Sequence, residues 1–143
     1  MRRLYRFRST LTEESVNKII ENLDSALFDA FKELVYSIDY VEFVDERGFE
    51  SSLCSLSEIE LDQTKKLMDA IYGSDRYRCE DVTSDVIMGR HELKSIEEGK
   101  EEQAMQLMQR HMDEYLTKDD VLDKISELGM DSLTNTDYKI LES

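Results

Sequence analysis

The stretch from Thr12 to about Val35 constrains the fold more than any other part of the sequence. Thr12 is a suitable N-cap, and the two glutamates that follow it stand where the helix dipole favours negative charge. The pattern predicts one long helix with a single buried face. Its apolar residues have the matching i, i+3, i+4, i+7 spacing, at Val16, Ile19, Ile20, Leu23, Ala26, Leu27, Ala30, Phe31 and Leu34.

Segments on both sides of this helix alternate apolar and polar residues as β-strands do. The alternation covers residues 3–9, 38–45, 49–56 and 76–82, and in the last case extends as far as residue 88. A second helical pattern at 61–72 stops at Gly73. The order β-α-β-β-α-β predicts an α+β protein with a ferredoxin-like antiparallel sheet and two helices on one face.

Helical spacing dominates the rest of the chain, from residue 90 onward. We expect a break near Gly99 and a further helix between Thr117, paired with Asp120 as an N-cap signal, and Gly129. Residues 138–141 are predicted as a short strand or a tail. The sequence is interpreted as a single domain over 1–143, with a sheet-plus-helix core at 1–89 and a C-terminal helical extension at 90–143.

Composition favours a cytoplasmic protein that does not enter membranes. Hydrophobic residues make up 40% of the 143, yet no apolar run approaches the roughly 20 residues that a membrane-spanning helix needs. The N-terminus lacks the apolar segment of a signal peptide. Cys54 and Cys79 do not form a CxxC pair and are expected to be reduced, buried thiols.

The net charge of −15 restricts the class of partner. With 33 acidic and 18 basic residues, the chain is poorly suited to bind nucleic acid or an anionic membrane directly, because both are polyanions. The charge favours docking on a basic surface of another protein. Inhibitors, immunity proteins and phage host-takeover or anti-defence proteins that mimic nucleic acid have this size and acidity.

Carboxylates crowd the helical extension and are the predicted partner-binding residues. A methionine among them, Met105, lies off the main apolar stripe and is a candidate apolar contact. The full predicted set is Glu97, Glu98, Glu101, Glu102, Met105, Asp113, Glu114, Asp119, Asp120 and Asp123.

An alternative site lies in the predicted sheet. Alternation places Tyr5 and Phe7 under the helices and the arginines of the first strand on the open face, next to those of the fourth strand. Guanidinium groups bind phosphate or carboxylate by bidentate hydrogen bonds. The alternative function is therefore a small regulatory domain that binds a phosphorylated ligand or a nucleotide through Arg6, Arg8, Arg76 and Arg78.

No pattern for catalysis or cofactor binding is found. The five glycines are scattered, and neither cysteine stands in a recognisable nucleophile motif. His91 and His111 are expected on exposed helix surfaces rather than as metal ligands. We therefore expect a non-enzymatic protein without cofactor or metal. Three questions stay open: whether the chain is a small enzyme with an unrecognised carboxylate pair, what its oligomeric state is, and whether the C-terminal helices pack on the helices of the core or cover the open face of the sheet. If they cover that face, the arginines become an internal ion-pair network.

Overall fold

The computed structural model describes residues 2–45, 47–89 and 99–143. Within these ranges four strands form one sheet: β1 (Arg3–Thr12), β2 (Asp39–Val44), β3 (Phe49–Leu56) and β4 (Tyr77–Asp81). The helices are α1 (Glu13–Glu21), α2 (Ser25–Ser37), α3 (Glu58–Tyr72), α4 (Thr83–Ile87), α5 (Glu101–Tyr115), α6 (Lys118–Leu128) and α7 (Asn135–Glu142), with a 3-10 turn at Met130–Ser132. The predicted α+β class is confirmed.

The sheet has the order β2-β3-β1-β4, and each neighbouring pair of strands is antiparallel. In β1, Leu4 lies opposite Ser55 of β3 and Tyr5 lies opposite Asp81 of β4. Because side chains alternate along a strand, the sheet has one face with Tyr5 and Phe7 and another with Leu4 and Arg6.

Helix α3 packs on the face that carries Phe7. Phe7, Cys54 and Leu56 are buried there, against Leu61 and Met68 of the helix. A capping box sets the start of α3: the Ser57 hydroxyl accepts the Glu60 backbone N–H, and the Glu60 carboxylate accepts that of Ser57. Local chemistry therefore fixes where the helix begins, and its apolar side fixes which face it covers.

Helix α5 covers the opposite face of the sheet, which carries Leu4. The sequence left undecided whether the C-terminal helices cover this face or pack on the helices of the core, and α5 covers it. The α5 residues facing the sheet recur every three or four positions, so they form one apolar stripe that the sheet can bury. The resulting core contains Leu4, Val41, Phe43 and Leu53 from the strands, Val82 and Val86 near α4, and Ala104, Leu107 and Met108 from α5.

The predicted long helix is two helices, α1 and α2. Asn22 ends α1, and the Asp24 carboxylate accepts the Leu27 backbone N–H at 2.9 Å as the N-cap of α2. A local cap therefore outweighs the continuous apolar spacing. Neither helix contains a fully buried residue, and Tyr36 of α2 is 85% exposed.

Helices α6 and α7 form a hairpin after α5. Val121 of α6 packs with Ile87 and Leu116, and Ile140 of α7 joins this cluster. The expected strand or tail at 138–141 is wrong, because the capping box of Thr134 and Asp137 starts a helix there. The predicted extension of β4 to residue 88 is also wrong, because residues 83–87 form α4.

Candidate functional site

The α5 outer face, formed by Glu101, Glu102, Met105, Gln109 and Asp113, is an exposed stripe of mixed character. Met105 is 58% exposed, a high value for a large apolar side chain within an acidic helix. Gln109 donates from Nε2 to Asp113 Oδ1 at 2.8 Å and to Thr136 Oγ1 of α7 at 3.0 Å. The stripe is therefore tied to the start of α7.

The structure brings together only some of the predicted partner-binding residues. Glu114 is exposed on α5 but lines a separate hollow with Arg110 and His111. Asp119 and Asp123 are exposed on α6, on either side of Leu122, which is 54% exposed. Glu97 and Glu98 lie outside the described residues.

Asp120 is structural. Its Oδ2 atom accepts the Thr117 backbone N–H at 3.0 Å, and the Thr117 hydroxyl accepts the Asp120 N–H in return. This capping box starts α6, and replacing such a cap costs about 1 kcal/mol. The Thr-x-x-Asp spacing is visible in the sequence and already indicated this role.

The predicted arginine set does not form one open site. Arg6 is 2% exposed, and its guanidinium carbon lies 5.3 Å from the centre of the Phe43 ring. Burial lowers the pKa of Arg6, and the positive charge of Arg8 acts in the same direction. Arg76 is exposed beyond the start of β4, where its carbonyl accepts the Thr10 N–H. These two arginines therefore do not belong to one site.

Arg8 and Arg78 do come together, and Arg47 joins them. Arg8 and Arg78 are directly opposite in the β1–β4 pairing. With Arg47, Ser9, Thr10 and Glu80 they line a hollow of about 210 Å³, the arginine hollow. Arg47 was not among the predicted residues, because only the fold places the β2–β3 turn beside the end of β1.

Contacts within the arginine hollow are incomplete. The buried Arg8 Nε lies 3.5 Å from Glu80 Oε1 and has no hydrogen-bond partner among the described residues. Arg47 pairs with Asp45 at 3.1 Å, and its guanidinium carbon lies 5.3 Å from the centre of the Phe49 ring. Burial acts to raise the pKa of Asp45, but N–H donors of Phe49 and Arg47 and the charge of Arg47 lower it overall. Asp45 and the Phe49 ring thus hold the Arg47 side chain in place, whereas the Nε–H of Arg8 makes no hydrogen bond to the described residues.

An apolar cavity of about 110 Å³ lies between the helices and the Phe7 face of the sheet. Its walls include Phe31 and Leu34 of α2 and Leu67 and Ile71 of α3. The cavity exists because α1 and α2 leave the apolar side chains on this side of the sheet only partly covered. It also has polar members, namely Tyr40, Glu42, Glu50, Tyr72 and Tyr77.

His111 is buried, which corrects the expectation of an exposed helix histidine. Its Nδ1 atom lies 2.9 Å from the Ser55 hydroxyl. Burial lowers the pKa of His111, and the nearby charges of Arg3 and Arg2 lower it further. The other histidine, His91, lies outside the described residues. The part of the chain that is described contains no group of three or more potential metal ligands.

Cys54 is unsuited to nucleophilic chemistry. It is buried beside the apolar cavity, and burial raises the pKa of its thiol to about 12. The reactive form of cysteine is the thiolate, which is scarce at pH 7 for such a group.

Comparisons with protein-family models, curated proteins and solved structures find no match to this chain. Among the described residues, no helix is both long enough and apolar enough to cross a bilayer. A functional interpretation therefore depends on the chemistry of the α5 outer face, the arginine hollow and the apolar cavity.

Proposed function

We propose that this chain is a non-enzymatic binding module that docks the α5 outer face on a basic surface of a partner protein. One observation carries the proposal: an exposed methionine stands among exposed carboxylates on a helix whose opposite side is anchored in the core. Ala104, Leu107 and Met108 fix that opposite side. The outer side chains are therefore presented from a rigid support.

The two kinds of side chain have different roles in this mechanism. Glu101, Glu102 and Asp113 attract a basic surface and accelerate encounter, because complementary charge acts mainly on the association rate. Met105 supplies an apolar contact that slows dissociation once water is excluded. The net charge of −15 favours partners whose basic surface ordinarily binds nucleic acid, as in the targets of inhibitors, immunity proteins and phage anti-defence proteins. We propose that this docking takes place in the cytoplasm.

Neutralising the α5 outer face is expected to slow association about tenfold and to flatten its salt dependence. The variant is Glu101→Gln with Glu102→Gln and Asp113→Asn, which keeps side-chain shape. The measurement is capture of a partner from an extract of the source cells, followed by association kinetics with the purified partner at about 50 and 300 mM salt. Met105→Ala, made separately, is expected to weaken affinity about tenfold through faster dissociation.

Helix α1 offers a matched control. Glu13→Gln, Glu14→Gln and Glu21→Gln remove the same charge, and two of these residues likewise stand in the first turn of an exposed helix. This control should bind like the unaltered protein. Equal losses in both triple variants would mean that only net charge matters. Unchanged binding in the α5 variant would refute the docking face.

The arginine hollow supports a second candidate function, binding of a phosphate-bearing ligand. Like charges directly opposite in an antiparallel pair are unfavourable, and Arg8 and Arg78 are such a pair. An oxyanion between them would reduce the repulsion by accepting hydrogen bonds from both guanidinium groups. This site differs from the predicted one by including Arg47 and by excluding Arg6 and Arg76.

Arg78→Gln is expected to abolish stabilisation by phosphate. Inorganic phosphate should raise the melting temperature of the unaltered protein by a few degrees, because a ligand that binds only the folded state stabilises it. The control is Arg76→Gln, which removes an exposed arginine outside the hollow and should retain the shift. An equal phosphate shift in Arg78→Gln would exclude the hollow as the site.

The strand connections support a closer description of the fold as a ferredoxin-like arrangement with added helices. Each crossover, β1 to β2 and β3 to β4, passes through helices and skips one strand, while β2 and β3 form a hairpin. In this description α2, α4 and the helices after residue 100 are additions to the βαββαβ core. The additions carry the proposed docking face.

A further inference from the structure

The apolar cavity beneath α2 and α3 lies apart from the α5 outer face and shares only Ser9 with the arginine hollow. At about 110 Å³ it is somewhat smaller than the engineered cavity of about 150 Å³ that accommodates benzene. A short alkyl chain fits this volume. The wall residues Phe31, Leu34 and Leu67 are only partly buried, so a ligand body placed among them would gain apolar burial.

Glu42 places a carboxyl group at the solvent-exposed edge of the cavity. This residue lines the cavity yet is exposed overall, so the cavity meets solvent where its carboxylate stands. Surrounding protein removes enough water from the carboxyl group to raise the pKa of Glu42, although Lys100 acts in the opposite direction. Across the β2–β3 pairing its neighbour is Ser52, a residue without charge. The carboxylate thus stands beside an apolar hollow and forms no ion pair with any of the described residues.

The charged side chains among the described residues that line the cavity are both acidic. None of the described residues that line it is lysine, arginine or histidine, whereas two of them, Glu42 and Glu50, are glutamates. Burial raises the pKa of Tyr72 to about 12, and the charges of Glu42 and Glu50 act in the same direction, so the phenol stays neutral at pH 7. The faces of Tyr40 and Tyr72 also favour a nearby cation. Anionic ligands are disfavoured by both carboxylates.

We propose that this cavity binds a small primary amine with an apolar body. The body packs among Phe31, Leu34 and Leu67, and the ammonium group forms an ion pair with the Glu42 carboxylate. Apolar burial supplies part of the affinity and the charged hydrogen bond supplies the selectivity. A neutral ligand of the same shape lacks the ion pair. An anionic one is repelled.

Three ligands of matched shape test the proposal on the full chain: n-butylamine, n-butanol and butyrate. Backbone amide NMR shifts of residues lining the cavity should saturate with n-butylamine at pH 7. We expect n-butanol to bind at least tenfold more weakly and butyrate not to bind, since hydrogen bonds between charged groups contribute more than neutral ones. Absence of saturable shifts with the amine, or equal affinity for the alcohol, would overturn the proposal.

Two variants and one control locate the binding site. Glu42→Gln should weaken n-butylamine at least tenfold, and Ser52→Leu, which extends a side chain into the cavity from β3, should abolish binding. Glu33→Gln removes an exposed acid of α2 that does not line the cavity, and this variant should bind n-butylamine with the affinity of the unaltered protein. Equal affinity in Glu42→Gln and Glu33→Gln would overturn the assignment of Glu42, and unaltered binding in Ser52→Leu would overturn the cavity itself.

Discussion

Replacing Asp137 with alanine is expected to lower the free energy of unfolding by about 3 kcal/mol, because it leaves a buried lysine without its partner. Lys124 Nζ and Asp137 Oδ2 are 2.8 Å apart, and the two side chains are only 6% and 4% exposed. Asp137 also accepts the Thr134 backbone N–H at 2.8 Å, so the substitution removes the cap of α7 as well. Chemical denaturation followed by circular dichroism measures the loss.

A double-mutant cycle separates the ion pair from the cap. Lys124→Met combined with Asp137→Leu should recover part of the loss, since a buried ion pair is often replaceable by apolar residues of similar volume. The control Asp131→Ala removes an exposed acid from the same hairpin and should change stability by less than about 0.5 kcal/mol. A small loss in Asp137→Ala, comparable with this control, would contradict the buried pair.

The contribution of Asp137 depends on pH with a definite sign. Burial opposes ionisation, but Lys124 and the Thr134 N–H lower the pKa of Asp137 below its ordinary value. A group whose folded pKa is lowered stabilises the protein above its unfolded pKa of about 3.9, and the stabilisation disappears as pH falls through the folded pKa. The difference between Asp137→Ala and the unaltered protein should therefore be constant near neutrality and shrink in acid.

Leu107→Ala is expected to cost about 3 kcal/mol, within the usual range for removing a buried leucine. Leu107 is fully buried on α5 and packs in the cluster that contains Leu4 and Leu53 of the sheet. Met105→Ala, two residues earlier on the exposed side of the same helix, should change the unfolding free energy by less than about 0.5 kcal/mol. Similar costs for the two variants would mean that α5 does not seal the sheet.

Strands were predictable from the sequence because their two-residue alternation is local. β3 has the predicted range 49–56, and β2 lies within one residue of its predicted bounds at each end. The long helix failed because the apolar spacing runs through Asn22–Asp24, where the Asp24 cap divides it. That cap was a readable signal. The covering of the second face was not readable, because it depends on how α5 packs at long range.

The candidate sites were less predictable, since each joins residues that are distant in sequence. The α5 outer face was partly predictable, because helical spacing alone places Glu102, Met105 and Asp113 on one side. Arg47 reaches the arginine hollow only through the pairing of β1 with β3 and β4. The apolar cavity needs Glu42 and helices α2 and α3 in one place, and no local pattern encodes the space left between them.

The core shared by Leu4 and Leu107 also has a consequence for synthesis on the ribosome. About 100 residues separate the two side chains, and translation adds roughly 5–20 residues per second. The apolar side chains around Leu4 therefore stay uncovered for roughly 5–20 s after β1 is made, because α5, which covers them, is synthesised later. During that interval the nascent chain presents an apolar surface on which a holdase chaperone can act.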